Sequence, residues 1–345
     1  MSAEEPFPLD RIAALLVNPE GKRLTYEFLE GKPGIMGLWN IGLSCYMNSA
    51  LNSLYFAAPF YQYFSNLPKC STKGLTSDIS FFANIYGEKT VSKTHLRAIR
   101  RHFPELHDGS MGSAYEFILR LLQVLDEEAQ ESRYSPPPLS PYRRDDEIWK
   151  NELERRMSAG CRPLHDIFSV VVEEVLSCQI CKISSIRYSY LRSLSLDIPS
   201  AESIENALSF PASINTCLSD FLSERSINAR CCICKCKTRT IKRSLKHIGT
   251  ALIIHLQRYH SANPYTEVTV PESLNMSEYF PEAGEYSLCS AILHRGTVLS
   301  GHYTCYARTS TSWMLFNDRL AYVLPQWPNQ ALESSTLFIY VKSAS

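Results

Sequence analysis

GLWNIGLSCYMNSALNSLYFAAPF, residues 37–60, joins a glycine-bearing loop to an amphipathic helix. Gly37 and Gly42 give the loop a backbone able to pass close to a substrate carbonyl. Ser44 is a residue type that caps helices, and Met47, Ala50, Leu51, Leu54 and Tyr55 then recur at the spacing of one buried stripe until Pro59 stops it. That places Cys45 in the first turn, where unpaired backbone amides and the positive end of the helix dipole favour a thiolate. Asn40, five positions earlier, is an amide that could donate to an oxyanion. Taken alone, a cysteine after a glycine turn is more often a small core residue, so a nucleophile here needs a base elsewhere.

Among nine histidines, His302 is the best base: it follows Gly301 and opens the strand-like run YTCYAR at 303–308, whose rigid backbone would hold it. A lone strand histidine is otherwise a partly buried, unreactive one, and His255 and His294 read that way. Asn317 and Asp318, ending WMLFND at 313–318, could accept the far ring N–H and fix the tautomer; as bare sequence they form a turn. Cys45 and His302 lie 257 positions apart, which suits a cleft between two subdomains.

Cys178-Gln179-Ile180-Cys181 and Cys231-Cys232-Ile233-Cys234 are two pairs with two intervening residues, the geometry that turns both thiolates of a pair toward one tetrahedral zinc. Buried or scattered surface thiols are the bland alternative. The pairs are 50 positions apart, so a long hairpin excursion must unite them. Cys236 keeps the ligand choice open, but a Cys234/Cys236 pair with a single spacer suits zinc less well; Cys232 and Cys236 are therefore assigned as bystanders.

The whole chain has 345 residues, 35 basic and 35 acidic side chains and a pI near 7.1, which fits neither a nucleic-acid binder nor an acidic tail. The basic stretch from Arg230 to Lys246 reads as a solvated face. The start, MSAEEPFPLD, lacks the pattern of a secretory signal, no apolar run approaches a membrane span, and the sequon at Asn275 is expected to be accidental. Twelve cysteines without an export signal should stay reduced, in a cytoplasmic or nuclear compartment.

Residues 1–36 read as a leader, and the proline-rich stretch ESRYSPPPLSPYRRDDE at 131–147 as an exposed connection. Ser113-Ala114-Tyr115-Glu116 is a capping box that announces a second helix. Strands are expected at 167–176, 186–196, 251–256, 286–293 and 302–308. Helices first and strands afterwards, without βαβ alternation, indicate an α+β protein.

Together these pieces resemble the ubiquitin-specific protease family, papain-like cysteine peptidases that remove ubiquitin. GLWNIGLSCYMNSALNSLYFAAPF resembles its cysteine box and SAYEFILRLLQVLDEE at 113–128 its following helix box. The paired cysteines, ALIIHLQRY at 251–259, YSLCSAILHRGTVLSGHYTCYAR at 286–308 and WMLFND resemble the remainder. The resemblance covers 37–342 and implies a catalytic domain with a thumb at about 37–160, zinc-ribbon fingers at about 165–245 and a palm at about 246–342, after an extension at 1–36. It implies Cys45 as nucleophile, His302 as general base, Asn317 as orienting residue, Asn40 as oxyanion-hole side chain and Asp318 as a possible helper. It also implies one structural zinc per chain on Cys178, Cys181, Cys231 and Cys234.

The expected activity is hydrolysis of the isopeptide or peptide bond after the C-terminal Gly-Gly of ubiquitin, through a Cys45 thioester. Ubiquitin and ubiquitinated proteins are the expected partners, with no nucleic acid or membrane, and a monomer is expected. Where the family usually has Gly-Asn-Thr-Cys, this chain has Gly42-Leu43-Ser44-Cys45; similarly Gly112-Ser113-Ala114 replaces Gln-Asp-Ala, and Asn52 a glutamine. With the triad complete, activity is expected. The alternatives are a catalytically weak ubiquitin-binding scaffold and a protease for another ubiquitin-like modifier.

Overall fold

Apolar residues spaced three and four apart make the first part of the chain helical: α1 (Cys45–Tyr55), α2 (Ala58–Ser65), α3 (Gly74–Ile85), α4 (Lys93–Arg101) and α5 (Ala114–Glu131). The computed structural model describes residues 27–28, 37–67, 74–86, 90–106, 112–131, 163–199, 212–260, 266–297, 300–310, 312–324, 326–327 and 335–343. Most of the leader, and the proline-rich connection beyond residue 131, lie outside them.

α1 is the central helix, buried at every residue from Cys45 to Leu54. Its polar residues therefore need partners inside the protein. The Ser53 and Ser290 hydroxyls meet at 2.7 Å, and Asn52 Oδ1 accepts the Tyr86 hydroxyl. Pro59 does more than end α1: it sits in the first turn of α2, where a missing N–H costs nothing. Ser113 Oγ accepts from Glu116 N at 3.3 Å at the start of α5, as its capping pattern predicts.

The strands form one large sheet with the spatial order β1 (Glu27–Phe28), β14 (Leu320–Leu324), β13 (Trp313–Asn317), β12 (Ser300–Arg308), β11 (Glu285–Thr297), β15 (Ser335–Lys342), β8 (Ala251–Leu256) and β4 (Leu194–Leu196). β10 (Ser273–Asn275) pairs with β11 off this path. Adjacent residues of β8 and β15 serve two cores: Ile253 and Ile339 pack with the helices, Leu252 and Tyr340 on the opposite face. With both faces covered, these strands are near-continuous apolar runs without polar alternation. β1 pairs Glu27 with Val323 and Phe28 with Tyr322, so part of the leader joins the sheet edge.

A second, antiparallel sheet has the order β3 (Ser184–Leu191), β2 (Val170–Cys178), β7 (Thr238–Ile248) and β6 (Arg225–Asn228). β5 (Ala212–Ser213) and β9 (Val268–Thr269) form a short parallel pair. Two expected strands change here. Residues 167–168 finish a helix, α6 (Pro163–Phe168). The stretch 186–196 divides between β3 in the small sheet and β4 in the large one, and the chain switches sheets where the Arg192 guanidinium pairs with Asp126 of α5. A helix among the strands, α7 (Ile214–Leu222), begins with a capping box in which Ser213 Oγ accepts from Thr216 N and Thr216 Oγ1 from Ser213 N. The α+β expectation is met. Among the described residues no helix is long and apolar enough to cross a membrane.

Candidate active site and metal centre

Cys45 is the first residue of α1, and β12 packs beside that helix end. The backbone N–H groups of Tyr303 and Tyr46, and its own, stand where they favour the thiolate form of its sulfur. Burial raises the thiol above its ordinary pKa and the Asp318 carboxylate adds to the rise, while the three amides pull the other way. Burial thus outweighs the helix-end amides, so a nucleophilic role for this thiol would call for a base to take its proton.

The residue before Tyr303 is His302. Its Nε2 lies 2.6 Å from Asn317 Oδ1 on the neighbouring strand β13. A carbonyl oxygen there accepts a hydrogen bond from Nε2–H, which in the neutral ring leaves the lone pair on Nδ1. Thiol and imidazole, far apart in sequence, thus reach adjacent positions on β12, one through the Tyr303 amide and one as its neighbour.

Ser44 stands at the N-cap of α1, yet its side chain caps nothing, contrary to the sequence expectation. The loop takes it instead: Ser44 Oγ accepts from Ile41 N at 2.9 Å and lies 3.3 Å from Asn40 Oδ1. Asn40 Oδ1 also accepts from Gly42 N at 3.0 Å and Ser44 N at 3.3 Å, while its Nδ2 donates to Asp318 Oδ2 at 3.0 Å. The second amide hydrogen of Asn40 makes it a credible oxyanion donor.

Asp318 proves to be a junction. Its other oxygen accepts from Asn48 Nδ2 at 2.7 Å and its carbonyl from Leu38 N at 2.8 Å. A Cβ on Gly37 would fall 2.2 Å from that carbonyl, so glycine is needed for the approach. His294, expected to be inert, lies directly behind the site. Its Nδ1 meets the Tyr259 hydroxyl, and its ring stacks on Tyr303 with centroids 4.3 Å apart. A Cβ at residue 301 would fall 2.3 Å from His294 Nε2. Burial, then the proximity of the His302 ring, lowers the His294 pKa and favours a neutral ring. His255 matches its bland reading, with Nδ1 at 2.9 Å from Ser195 Oγ and its ring stacked on Tyr115.

Two contributors escape sequence reasoning. Arg100, buried on α4, donates through Nη1 to Gly42 O at 2.8 Å and through Nη2 to Leu106 O at 3.1 Å, gripping the loop before the cysteine. Spacing offered a signal here, since Arg100 falls four residues after Leu96 and beside Ile99 on the buried stripe, whereas Arg97 and Arg101 fall on the exposed side. Asn48 had a readable signal, an amide side chain three residues after Cys45 and so about one turn along the same face of the helix.

At the tip of the small sheet, Cys178, Cys181, Cys231 and Cys234 place their sulfurs within 4.8 Å of one another. The two turns share one backbone pattern. Lys182 N donates to Cys178 O and Lys235 N to Cys231 O, with both lysines at positive φ, 56° and 60°. Cys178 N donates to Ile183 O, and Cys231 N to Cys236 O. Sulfurs about 2.3 Å from a tetrahedral zinc stand roughly 3.8 Å apart, so a closed four-thiolate site fits. Cys232 is exposed, as expected of a bystander; Cys236 Sγ lies 3.2 Å from Cys178 Sγ.

This architecture has relatives. Human ubiquitin carboxyl-terminal hydrolase 21 is 25% identical over 89% of this chain, and the chain spans 61% of that protein's length. Ubiquitin carboxyl-terminal hydrolase 4 of Arabidopsis thaliana is 26% identical, over 88% of this chain and 89% of its own. Among solved structures, the SAGA Ubp8/Sgf11/Sus1/Sgf73 DUB module bound to ubiquitin aldehyde matches with a TM-score of 0.67 at 20% identity, covering 93% of this chain and 72% of that one, a likeness of fold. The profile of the ubiquitin carboxyl-terminal hydrolases matches residues 36–340, nearly the whole length, and the chain belongs to that family.

Proposed function

We propose that this chain is a deubiquitinating thiol protease that hydrolyses the isopeptide or peptide bond after the C-terminal Gly-Gly of ubiquitin. The observation that carries the reading is the placement of Cys45 against the Tyr303 amide while His302, one residue earlier, is oriented by Asn317. His302 Nδ1 takes the Cys45 proton as the sulfur attacks the glycine carbonyl. The oxyanion receives N–H donors from Asn40 Nδ2 and the start of α1, and losing one such donor typically costs about 100- to 1000-fold in turnover. His302 then gives its proton to the departing lysine amine, leaving a Cys45 thioester and a free amine. Water attacks the thioester, His302 accepts its proton, and the ubiquitin carboxylate leaves.

Ubiquitin as partner is supported by family membership and by related structures described as bound to monoubiquitin and to ubiquitin aldehyde. The reading includes a thumb at about 37–160, fingers at about 165–245 and a palm at about 246–342, acting as a monomer in a reducing compartment. One zinc on Cys178, Cys181, Cys231 and Cys234 would supply folding energy to the finger tip and take no part in the reaction.

Covalent trapping with a ubiquitin C-terminal electrophile, followed by mass-spectrometric mapping, tests the proposal. The expected adduct is on Cys45, absent from Cys45→Ala. A protein that binds ubiquitin without forming the adduct would be a scaffold. Preferential reaction with probes built on other Gly-Gly-tailed modifiers would move the substrate class.

A further inference from the structure

Five thiols gather at the finger tip. The four mutually close sulfurs include Cys234, 3.4 Å from Cys178. Cys236 Sγ is nearer still to Cys178, at 3.2 Å. The Cys236 thiol also donates to Thr238 O at 3.3 Å.

The repeated backbone pattern accounts for this. In the first turn, the residue whose carbonyl receives the N–H of the leading cysteine is Ile183, and it brings no donor atom. In the second, the same position is Cys236, so the bond that closes the turn also fixes a thiol beside the opposite pair.

We propose that Cys236 is a reserve metal ligand: Cys178, Cys181 and Cys231 hold three vertices of the zinc site, and Cys234 and Cys236 exchange at the fourth. In the exchange the Cys236 S–H bond breaks and its sulfur bonds the metal, while the Cys234–metal bond breaks and Cys234 takes up the proton. Four thiolates surround the metal before and after, and no oxidant or reductant is consumed. The inference rests on the zinc reading above and goes beyond it in assigning a fifth residue to the site.

The test uses the full chain loaded with Co2+, whose visible ligand-field and sulfur-to-metal charge-transfer bands report the number of thiolates, alongside zinc stoichiometry. Cys234→Ser and Cys236→Ser should each keep the tetrathiolate spectrum and hold zinc within about tenfold of the parent, whereas Cys181→Ser and the Cys234→Ser/Cys236→Ser double variant should show a three-sulfur spectrum and bind at least about 100-fold more weakly. A Cys234→Ser protein that resembles Cys181→Ser overturns the proposal. A parent that binds neither metal overturns the zinc reading itself.

Because a variant can fail to fold, the parent supplies a second measurement. Limited alkylation of the zinc-loaded protein, read by native mass spectrometry, should give metal-retaining species labelled on either Cys234 or Cys236, with exposed Cys232 as the accessible reference. Label on Cys236 but never on Cys234 in such species overturns the exchange.

Discussion

Arg100→Met should damage the site less in a Leu43→Gly background than in the parent. Leu43 sits at φ 46° directly after Gly42, and a left-handed conformation costs a residue bearing a Cβ about 1–2 kcal/mol. Arg100 holds the carbonyl of the peptide joining these two residues, at 2.8 Å. Without the guanidinium, the Gly42-Leu43 turn can relieve its strain by rotating, and the amides that Asn40 organises at the start of α1 move with it. Leu43→Gly removes the strain, so the loop has less to gain by rotating. The bonds from Arg100 to Leu106 O are lost in both backgrounds and cancel in a double-mutant cycle. The coupling should equal the strain, about 1–2 kcal/mol, or roughly 5- to 30-fold in kcat/KM. The assays are hydrolysis of a fluorogenic ubiquitin C-terminal amide and, independently of turnover, the rate of Cys45 alkylation. Effects that add to within about 0.5 kcal/mol in both would refute the reasoning, because Arg100 would then act only through Leu106.

Three more perturbations address other parts of the chain. Asp318→Asn removes a negative charge that raises the Cys45 pKa beyond what burial does, so the inflection in the pH dependence of Cys45 alkylation should move to lower pH; no shift, or an upward one, would contradict the assignment. Asn317→Ala deletes the acceptor that fixes the His302 tautomer and should lower kcat at least about 100-fold with little change in KM, while Asn317→Asp should restore most of the loss; equal defects in the two variants would argue against the orienting role. Burial pushes the Glu174 carboxyl up, but bonds from Arg243 and Arg187 outweigh it and hold the group below its ordinary value. A depressed folded pKa contributes stability that is present above the unfolded value, about 4.3, and is lost as pH falls through the folded one. The urea midpoint should therefore fall less steeply on acidification below about pH 5 in Glu174→Gln than in the parent; parallel curves would remove Glu174 from the acid response.

What the sequence disclosed follows from what local spacing can encode. α1, β8 and β12 were readable because periodicity and β-branched runs are properties of consecutive residues. The four clustered cysteines were readable because their chemistry is written in the spacing of each pair. The split of 186–196 was not, since it depends on Arg192 finding Asp126 on a distant helix. Ser44 misled for a similar reason: its residue type fits a cap, but with the loop curled back its oxygen accepts from Ile41 N while its hydroxyl donates to Asn40 Oδ1. Arg100 could be placed on the buried stripe of its helix from its spacing to Leu96 and Ile99, but the carbonyls of Gly42 and Leu106 that it holds are long-range and could not. Cys236 was set aside on spacing alone, whereas its position follows from a turn whose closing bond appears only in three dimensions.

The catalytic geometry itself depends on a long-range link of this kind. The proposed nucleophile and oxyanion amide come from residues 40–45, the proposed base and its orienter from residues 302–317, and Asp318 bonds the first group while following the second in the chain. Its carbonyl holds Leu38, and its two carboxylate oxygens hold Asn40 and Asn48, one on each side of Cys45 in sequence. Because Asn317 precedes it directly, the bond that orients His302 and the bonds that place the Cys45 loop share one backbone segment. Charge and position can then be separated in part: Asp318→Asn removes the charge and keeps one of the two side-chain acceptors, its NH2 facing the other asparagine's Nδ2, whereas Asp318→Ala frees both asparagines. If the second role dominates, Asp318→Ala should lose activity that no adjustment of pH recovers, and Asp318→Asn, which still holds one asparagine, should lose less at its own optimum. A loss in Asp318→Ala no greater than in Asp318→Asn at every pH would show that freeing the remaining asparagine costs nothing, and would overturn the positioning role.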